Sequence, residues 1–472
     1  MAISWTSSGR SSNPRESLIE LDRAAPETLT SQLERHLREA VRNGRLTPGS
    51  TLPSTRALSS QLGVSRGLVV GAYAQLGAEG YIVLRRGASP RVASAFAKAS
   101  EPSARAREQR PRYNLMPNLP DYAAFPREKW LTSYRLALKA APDQELAYGD
   151  TRGVAALRSA LVSYLGRARG VSGSPEHTFV CGGFAQAIGA LSSVLRRAGR
   201  TTIGVEDPGH AVIREIVARA GLRPVAIPVD DEGIDIAWLE RASPDAVLVS
   251  PAHQFPTGVV LAPERRARLL EWAGRRDAIV VEDDYDAEFR YDRAPVGALQ
   301  GLAPERTAYI GSASKTLAPT LRLGWLIAPS GLVRPLADEL LYTVIAPPRL
   351  EQLAFANFLD RGELDRHLRR MRLRYRRRRD VLVNALATEL PEVEVRGIAA
   401  GLHLVAVLPR GVDEQRVLME ARARGIALSG LGEHSIRPRS EHGLLLGYAA
   451  SHEPTIRAGV RGLAEAVEAA SA

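Results

Sequence analysis

Cysteine is almost missing: Cys181 stands alone in 472 residues. An internal disulfide framework is thereby excluded, and a reducing cytosol is the expected setting. Long apolar runs are missing as well. None approaches the ~20 residues that a membrane-spanning helix needs, and the start, MAISWTSSGRSSNPRE, lacks the apolar centre of a secretory signal. A cytoplasmic chain with no membrane and no metal partner is expected. There is no low-complexity tract, and 45% of residues are hydrophobic, which excludes a disordered polymer. At this length one ordinary core does not suffice, so two or three domains are expected.

What is present begins with charge. The chain carries 63 Lys+Arg against 52 Asp+Glu, a net +11, and residues 1–110 hold 16 of the basic and 9 of the acidic groups. A basic head suits a polyanion such as DNA, though a solvated surface would have the same composition. The motifs decide between them. LTSQLERHLREAVRNG, residues 29–44, places Leu33, Leu37, Ala40 and Val41 at helical spacing and ends on glycine. The connector GRLTPGSTLP is rich in turn residues. In STRALSSQLGVSRGLVVGAYAQLGAEGY, Ser54 can cap a short helix through Leu62, Gly63-Val64 makes a turn, and Ser65 can cap a second helix to about Glu79. Ala57, Leu58, Leu62, Leu68, Val69, Tyr73 and Leu76 are its expected apolar partners. YIVLRRGASPRVA reads as two short strands around Arg85, Arg86 and Gly87.

This is helix–turn–helix spacing followed by a basic wing. A recognition helix turns its first residues towards base edges in the major groove, and there stand Ser65 and Arg66. Arg56 and Arg86 are placed to reach phosphates or the minor groove. Through GRLTPGSTLPSTRALSSQLGVSRGLVVGAYAQLGAEGY the head resembles the GntR-type winged helix, an α+β module. The resemblance implies that Arg56, Ser65, Arg66 and Arg86 contact double-stranded operator DNA. Gly71 departs from it, standing where an acidic residue is common, and the wing reads RGASPR rather than G-S-G-T. Residues 15–93 make the expected head and 94–111 a flexible linker. The body is expected over residues 112–472.

The body alternates β-rich runs (HTFVCGG, RTTIGVEDPG, PDAVLVSPA, DAIVVEDDY, RTAYIGSAS) with helical stretches such as FAQAIGALSSVLRRAG, AVIREIVARAG and PERRARLLEWAGRR. Apolar strands alternating with amphipathic helices imply an α/β layer with a mainly parallel sheet covered on both faces. Ligands on such sheets sit at the carboxyl ends of the strands, and there the polar motifs cluster. Phe184 and Ala185 open a helix after a glycine turn whose free N–H groups suit a phosphate. His253 and Gln254 follow one strand, Asp283 and Tyr285 another. SASKTLAPTLR then supplies Ser312, Ser314, Lys315 and Arg322.

The set suits pyridoxal 5′-phosphate. That cofactor needs a lysine for an imine and a carboxylate to keep its pyridine nitrogen protonated. A donor for its phenolic oxygen, and hydroxyls with an arginine for its phosphate, complete the list. Singly, each residue is as compatible with a surface role. Cys181, on an apolar strand, reads as core rather than nucleophile. HLRRMRLRYRRRRD, residues 367–380, reads as a solvated basic helix face, with duplex phosphates as the alternative.

In the order VEDPG, SPAHQFPTG, VEDDYDAEFRYD, SASKTLAPTLRLGW and LLLGYA, the body resembles a fold-type-I aminotransferase. Behind a GntR-type head it resembles the MocR family of transcription regulators. The resemblance implies Lys315 as the Schiff-base lysine, Asp283 at the ring nitrogen and Tyr285 at the ring oxygen. It puts the phosphate on Ser312, Arg322 and the backbone of Phe184 and Ala185; Ser314 and His253, beside these motifs, are further cofactor-binding candidates. It also implies a homodimer in which each head packs on the partner's body. His210 replaces the usual tyrosine after EDPG, and Val212 offers no cation where a carboxylate-binding arginine could stand. His210, Arg437 and Arg439 are therefore the candidates for an effector, either the cofactor itself or an amine or amino acid. Two functions stay open: a ligand-sensing regulator, or a working aminotransferase with a DNA-binding appendage.

Overall fold

The structure is a computed structural model, and it describes residues 19–85, 87–93, 111–292, 296–343, 348–438 and 441–471. Arg86, Arg439 and linker residues 94–110, all singled out above, lie outside the described residues. The chain divides into two compact units, Met1–Gln109 and Arg110–Ala472.

In the first unit, α1 (Leu29–Arg42), α2 (Thr55–Leu62) and α3 (Arg66–Ala78) are followed by the antiparallel pair β1 (Ile82–Val83) and β2 (Arg91–Val92). The local chemistry sets the boundaries. Ser54 Oγ accepts from the Ala57 N–H at 3.1 Å, and Ser65 Oγ accepts from Leu68 N–H at 3.3 Å, so each hydroxyl satisfies a helix-end donor. Gly63 closes α2 with φ +62°, the left-handed conformation that glycine adopts without a steric penalty. Leu33, Leu37, Ala40 and Val41 meet Leu58, Val69, Ala72, Tyr73 and Leu76 in one core. Each such leucine contributes about 1.5–3 kcal/mol by leaving water. Leu62 and Leu68 are half-buried on the edge of that core. Ala57 is exposed instead, because it sits on the outer face of α2, one residue before the buried Leu58.

The second unit opens with β3 (Tyr113–Asn114) and is built on an eight-stranded sheet: β4 (Thr178–Cys181), β5 (Thr202–Asp207), β6 (Arg223–Asp230), β7 (Gly233–Ile234), β8 (Ala246–Val249), β9 (Ile279–Asp284), β10 (Thr307–Ser312) and β11 (Gly324–Ile327). The order is β4-β11-β10-β9-β8-β5-β6-β7. From β10 through β6 every neighbour is parallel, whereas β11 runs antiparallel to both β10 and β4. That reversed strand, in the LGW run, was not anticipated from the sequence.

Alternation along the strands explains the layers. Ile203, Val205, Ala246, Leu248, Ile279 and Val281 pack on the helices Phe184–Arg197, Ala211–Arg219 and Ser330–Thr343. Val247, Val249 and Val280 point the other way, onto Leu269, Trp272 and Ala273 of Pro263–Arg276. The segment 367–380 lies inside the helix Glu363–Glu389. A smaller antiparallel sheet has the order β12-β13-β16-β15, from Glu394–Arg396, His403–Val407, Gly443–Gly447 and Ser429–Gly430. Ile426–Ala427 (β14) pairs with β3. Among the described residues no helix is long and apolar enough to cross a membrane.

Candidate functional site

The parallel strands all end at one edge of the large sheet, and a cavity of about 350 Å3 opens there. Its wall includes Phe184 and Ala185 after β4, Glu206 at the end of β5, and Ser250 after β8. Asp283 and Tyr285 come from the end of β9, and Ser312, Ser314, Lys315 and Arg322 from β10 and the turn beyond it. Asn118 and His210 line it as well.

Strand alternation assigns the two neighbouring aspartates different tasks. Asp283 turns to the cavity, and its Oδ1 is buried without a hydrogen-bond partner among the described residues. Asp284 turns away, where it accepts from Arg169 Nε at 2.7 Å and the Tyr309 hydroxyl at 2.6 Å. Burial pushes the Asp283 carboxyl well above its ordinary value, and the carboxylates of Asp284, Asp286 and Glu206 add to the effect. An orphaned buried oxygen of this kind calls for a cationic N–H. Lys315 is one of four lysines in the chain. Its Nζ donates to the Asn118 carbonyl at 2.8 Å, and burial lowers its basicity against the opposing pull of Asp286 and Asp283.

The phosphate end is equally specific. The Phe184–Arg197 helix has Gly183 at its cap, with φ +104° and no side-chain bond to the first-turn N–H groups. A Cβ on Gly183 would meet the Arg322 guanidinium at 3.4 Å, so glycine leaves that approach open. The Arg322 backbone N–H donates to the Pro319 carbonyl at 3.2 Å, but its guanidinium makes no hydrogen bond or ion pair among the described residues. Ser312 Oγ donates to Ser314 Oγ at 2.8 Å, which gathers two hydroxyls on the same turn. Free N–H groups at a helix N-terminus, an unpaired guanidinium and two hydroxyls suit a phosphate dianion. Together with Asp283, Tyr285 and Lys315, the residues fit pyridoxal 5′-phosphate, whose aldehyde condenses reversibly with primary amines.

Three placements differ from the expectation. His253 does not line the cavity; its Nδ1 lies 3.0 Å from the Tyr285 hydroxyl and 3.0 Å from Asp286 Oδ2, so it orients Tyr285 from behind. Arg437 is likewise outside the wall, because its Nε donates to Asp207 at 3.1 Å and its guanidinium lies 4.9 Å from the Trp238 ring centre. Glu206 was missed. It is buried, accepts from Ser250 N–H at 3.2 Å and Gln254 Nε2 at 3.3 Å, and burial pushes it up to about 8. Its signal was a charged residue ending an apolar strand on the edge that also carries Asp283. His210 does line the cavity, 5.2 Å from the Phe255 ring, and burial holds it down to about 4. In the head, Ser65, Arg66 and Arg56 are exposed, the first two at the start of α3.

Residues 118–429 match the aminotransferases of class I and II, and residues 29–92 match the gntR family of bacterial regulatory proteins. Over 93% of its length the chain is 33% identical to the HTH-type pyridoxine biosynthesis transcriptional regulator PdxR of Corynebacterium glutamicum, covering 96% of that protein. To the probable rhizopine catabolism regulatory protein MocR of Rhizobium meliloti it is 32% identical, over 95% of this chain and 96% of that one. The chain belongs to the MocR family. This MocR-family chain is a DNA-binding transcription regulator with an aminotransferase-like effector domain and a pyridoxal 5′-phosphate site. Its fold agrees with a crystal structure of Pyrococcus horikoshii kynurenine aminotransferase at a TM-score of 0.70 and 27% identity, covering 77% of this chain and 92% of that one.

Proposed function

We propose that this MocR-family protein is a cytoplasmic homodimeric regulator whose affinity for an operator duplex is set by an amine ligand, or by the cofactor, in the body. Arg66 reads base edges in the major groove, while Ser65 and Arg56 anchor the backbone. In the body, Asp283 keeps the cofactor's ring nitrogen protonated and Tyr285, oriented by His253, donates to its ring oxygen. Ser312, Ser314, Arg322 and the N–H groups of Phe184 and Ala185 hold the phosphate. Lys315 provides the exchangeable amine. The observation that carries this reading is the union, in one chain, of an exposed Arg66 at the start of a recognition helix with a cavity walled by Lys315 and the unpartnered Asp283 oxygen. Exposed apolar side chains on the body, among them Leu131, Leu138, Leu146, Tyr148 and Tyr342, support a second copy as partner.

A working aminotransferase is the second reading, favoured by the lowered basicity of Lys315, which leaves more neutral amine to accept a proton. One experiment separates the two. The full chain is titrated with pyridoxal 5′-phosphate and then with primary amines one at a time, with imine absorbance and operator affinity read in the same samples. Operator affinity is expected to move with ligand while the amine is recovered unchanged. Keto product accumulating over many turnovers, with operator affinity unmoved, would overturn the regulator reading in favour of the enzyme.

A further inference from the structure

The helix α3 turns Val69, Ala72, Tyr73 and Leu76 into the head's core. That spacing leaves Arg66, Gly67, Val70, Gly71 and Ala74 on the outward side, and all five are exposed. Arg66 is the only polar side chain among them. Gln75, the next polar residue on the outside, is engaged within the helix, where its Nε2 donates to Glu79 Oε1 at 2.9 Å. Between Arg66 and Gln75 the outward face therefore offers a base edge no side-chain donor or acceptor. What it offers is Val70, which is 47% exposed and stands one turn after Arg66 on the same side of the helix.

Gly67 and Gly71 flank that valine, and the fold requires neither. A Cβ built on either meets nothing within 4 Å, and neither has the positive φ that would demand glycine. Glycine inside a helix lowers its stability relative to alanine, so the head is weakened at two positions with no gain in its own packing. The gain is on the outside. With no Cβ on either side, the Val70 side chain projects beyond the backbone around it, and the helix can come close to whatever it faces. One valine among two glycines and an alanine is too small an apolar surface for a stable protein partner. It has the right size for a single methyl group. Thymine is the base that presents one in the major groove, at C5, and apolar side chains are what contact it there.

We propose that Val70 is a specificity-determining residue that packs on the C5-methyl group of a thymine in the operator. The inference rests on the reading that α3 enters the major groove with Arg66 at base edges, and it goes on to name the base and the group read beside it. One helical turn rises about 5.4 Å and one base pair about 3.4 Å, so this thymine lies within about two base steps of the base that Arg66 contacts.

The test uses the full chain and a duplex that it selects from a random-sequence pool. Each thymine of the selected site is replaced in turn by deoxyuridine, which removes the methyl group and leaves every hydrogen-bonding edge in place. Affinity is expected to fall about fourfold, the effect of one buried methyl, at one thymine per half-site, and to stay within about 1.5-fold elsewhere. In Val70→Ala the deoxyuridine effect at that thymine should vanish, so that both changes together weaken binding no more than either alone. Val70→Thr, which keeps one methyl on the branch, should retain part of it. The head's melting temperature should hold in Val70→Ala, because the exposed side chain leaves no cavity behind. A selected site without a methyl-dependent thymine would overturn the proposal. So would a methyl effect that survives Val70→Ala, or equal losses from Val70→Ala on operator and random duplex. Arg66→Ala keeps the two readings apart. If it leaves discrimination between operator and random duplex whole, the groove reading itself fails; if discrimination falls while no thymine methyl matters, this inference alone fails.

Discussion

In the head, Arg56 and Arg66 stand in water on a three-helix core whose only buried polar side chains, among the described residues, are Gln32 and Ser59. In the body, Glu206, Asp283 and Asp286 are buried around Lys315 at the edge of a covered sheet. The same kinds of ionisable group thus work under opposite conditions. Exposed arginines act through position and a field that salt screens within about 10 Å. Buried carboxyls act through desolvation, which makes their protonation state the controlled variable. Salt should therefore tune the head and pH the body.

The largest effect expected from breaking this division is at Lys315. Lys315→Ala should reduce the ligand-induced change in operator affinity to none while leaving operator affinity itself unchanged, as measured with and without ligand on parent and mutant. A mutant that still switches would make the lysine irrelevant to regulation. Arg66→Ala comes next, with ~1–3 kcal/mol lost on the operator and relaxed discrimination at one base position. Equal losses on operator and random duplex would instead make Arg66 a phosphate anchor. Asp283→Asn should weaken cofactor binding about tenfold, because a charge-assisted hydrogen bond becomes a neutral one. Unchanged affinity by absorbance titration would leave the ring nitrogen to some other group.

The pH comparison is sharper still in form, though smaller in size. Glu206 has an ordinary value of 4.5 and is raised to about 8, so the folded, cofactor-free body retains a proton that the unfolded chain releases. Its contribution to stability is complete below about 4.5 and is lost as pH rises through about 8. His210 and His434, lowered from 6.5 to about 4, run the other way, and their cost is gone above 6.5. Between pH 6.5 and 8 the body's melting temperature should fall, and Glu206→Gln should flatten that fall while keeping an oxygen for Ser250 and Gln254. The head's transition should stay level. An unaltered slope in Glu206→Gln would mean that the carboxyl is already ionised at neutral pH. Smallest of all, Gly71→Ala should stabilise the head by about 0.5–1 kcal/mol, since a Cβ there meets nothing within 4 Å. A lower melting temperature for the head would exclude that open space.

Local chemistry made the head legible from sequence. Ser54, Gly63 and Ser65 each act within four residues of themselves, so α2 and α3 begin and end where their caps dictate. The cofactor set was legible for a related reason: parallel strands deliver their polar ends to one edge, and Lys315 and Arg322 lie on the one connection between β10 and β11. What escaped depends on long-range packing. Whether His253 faces a ligand or backs Tyr285 depends on Asp286 lying 33 positions downstream. Arg437 was equally well placed in the sequence to bind an anion, yet Asp207, 230 positions upstream, already holds it. The antiparallel β11 carries no mark of direction, since GWLI is as apolar as its parallel neighbours.

Asn118 belongs to the stretch of chain that enters the body, just seven positions past the first described residue of that unit, and it adopts φ +60°. Its carbonyl is fastened by the Lys315 amine from 197 positions away. A free ammonium has three hydrogens to give, but a lysine nitrogen double-bonded to a second carbon, as in an imine, has at most one. Whatever engages Lys315 therefore competes for the clasp that seats the body's own doorway, and the grip on this entering turn loosens or tightens with the occupancy of a nitrogen far away in sequence.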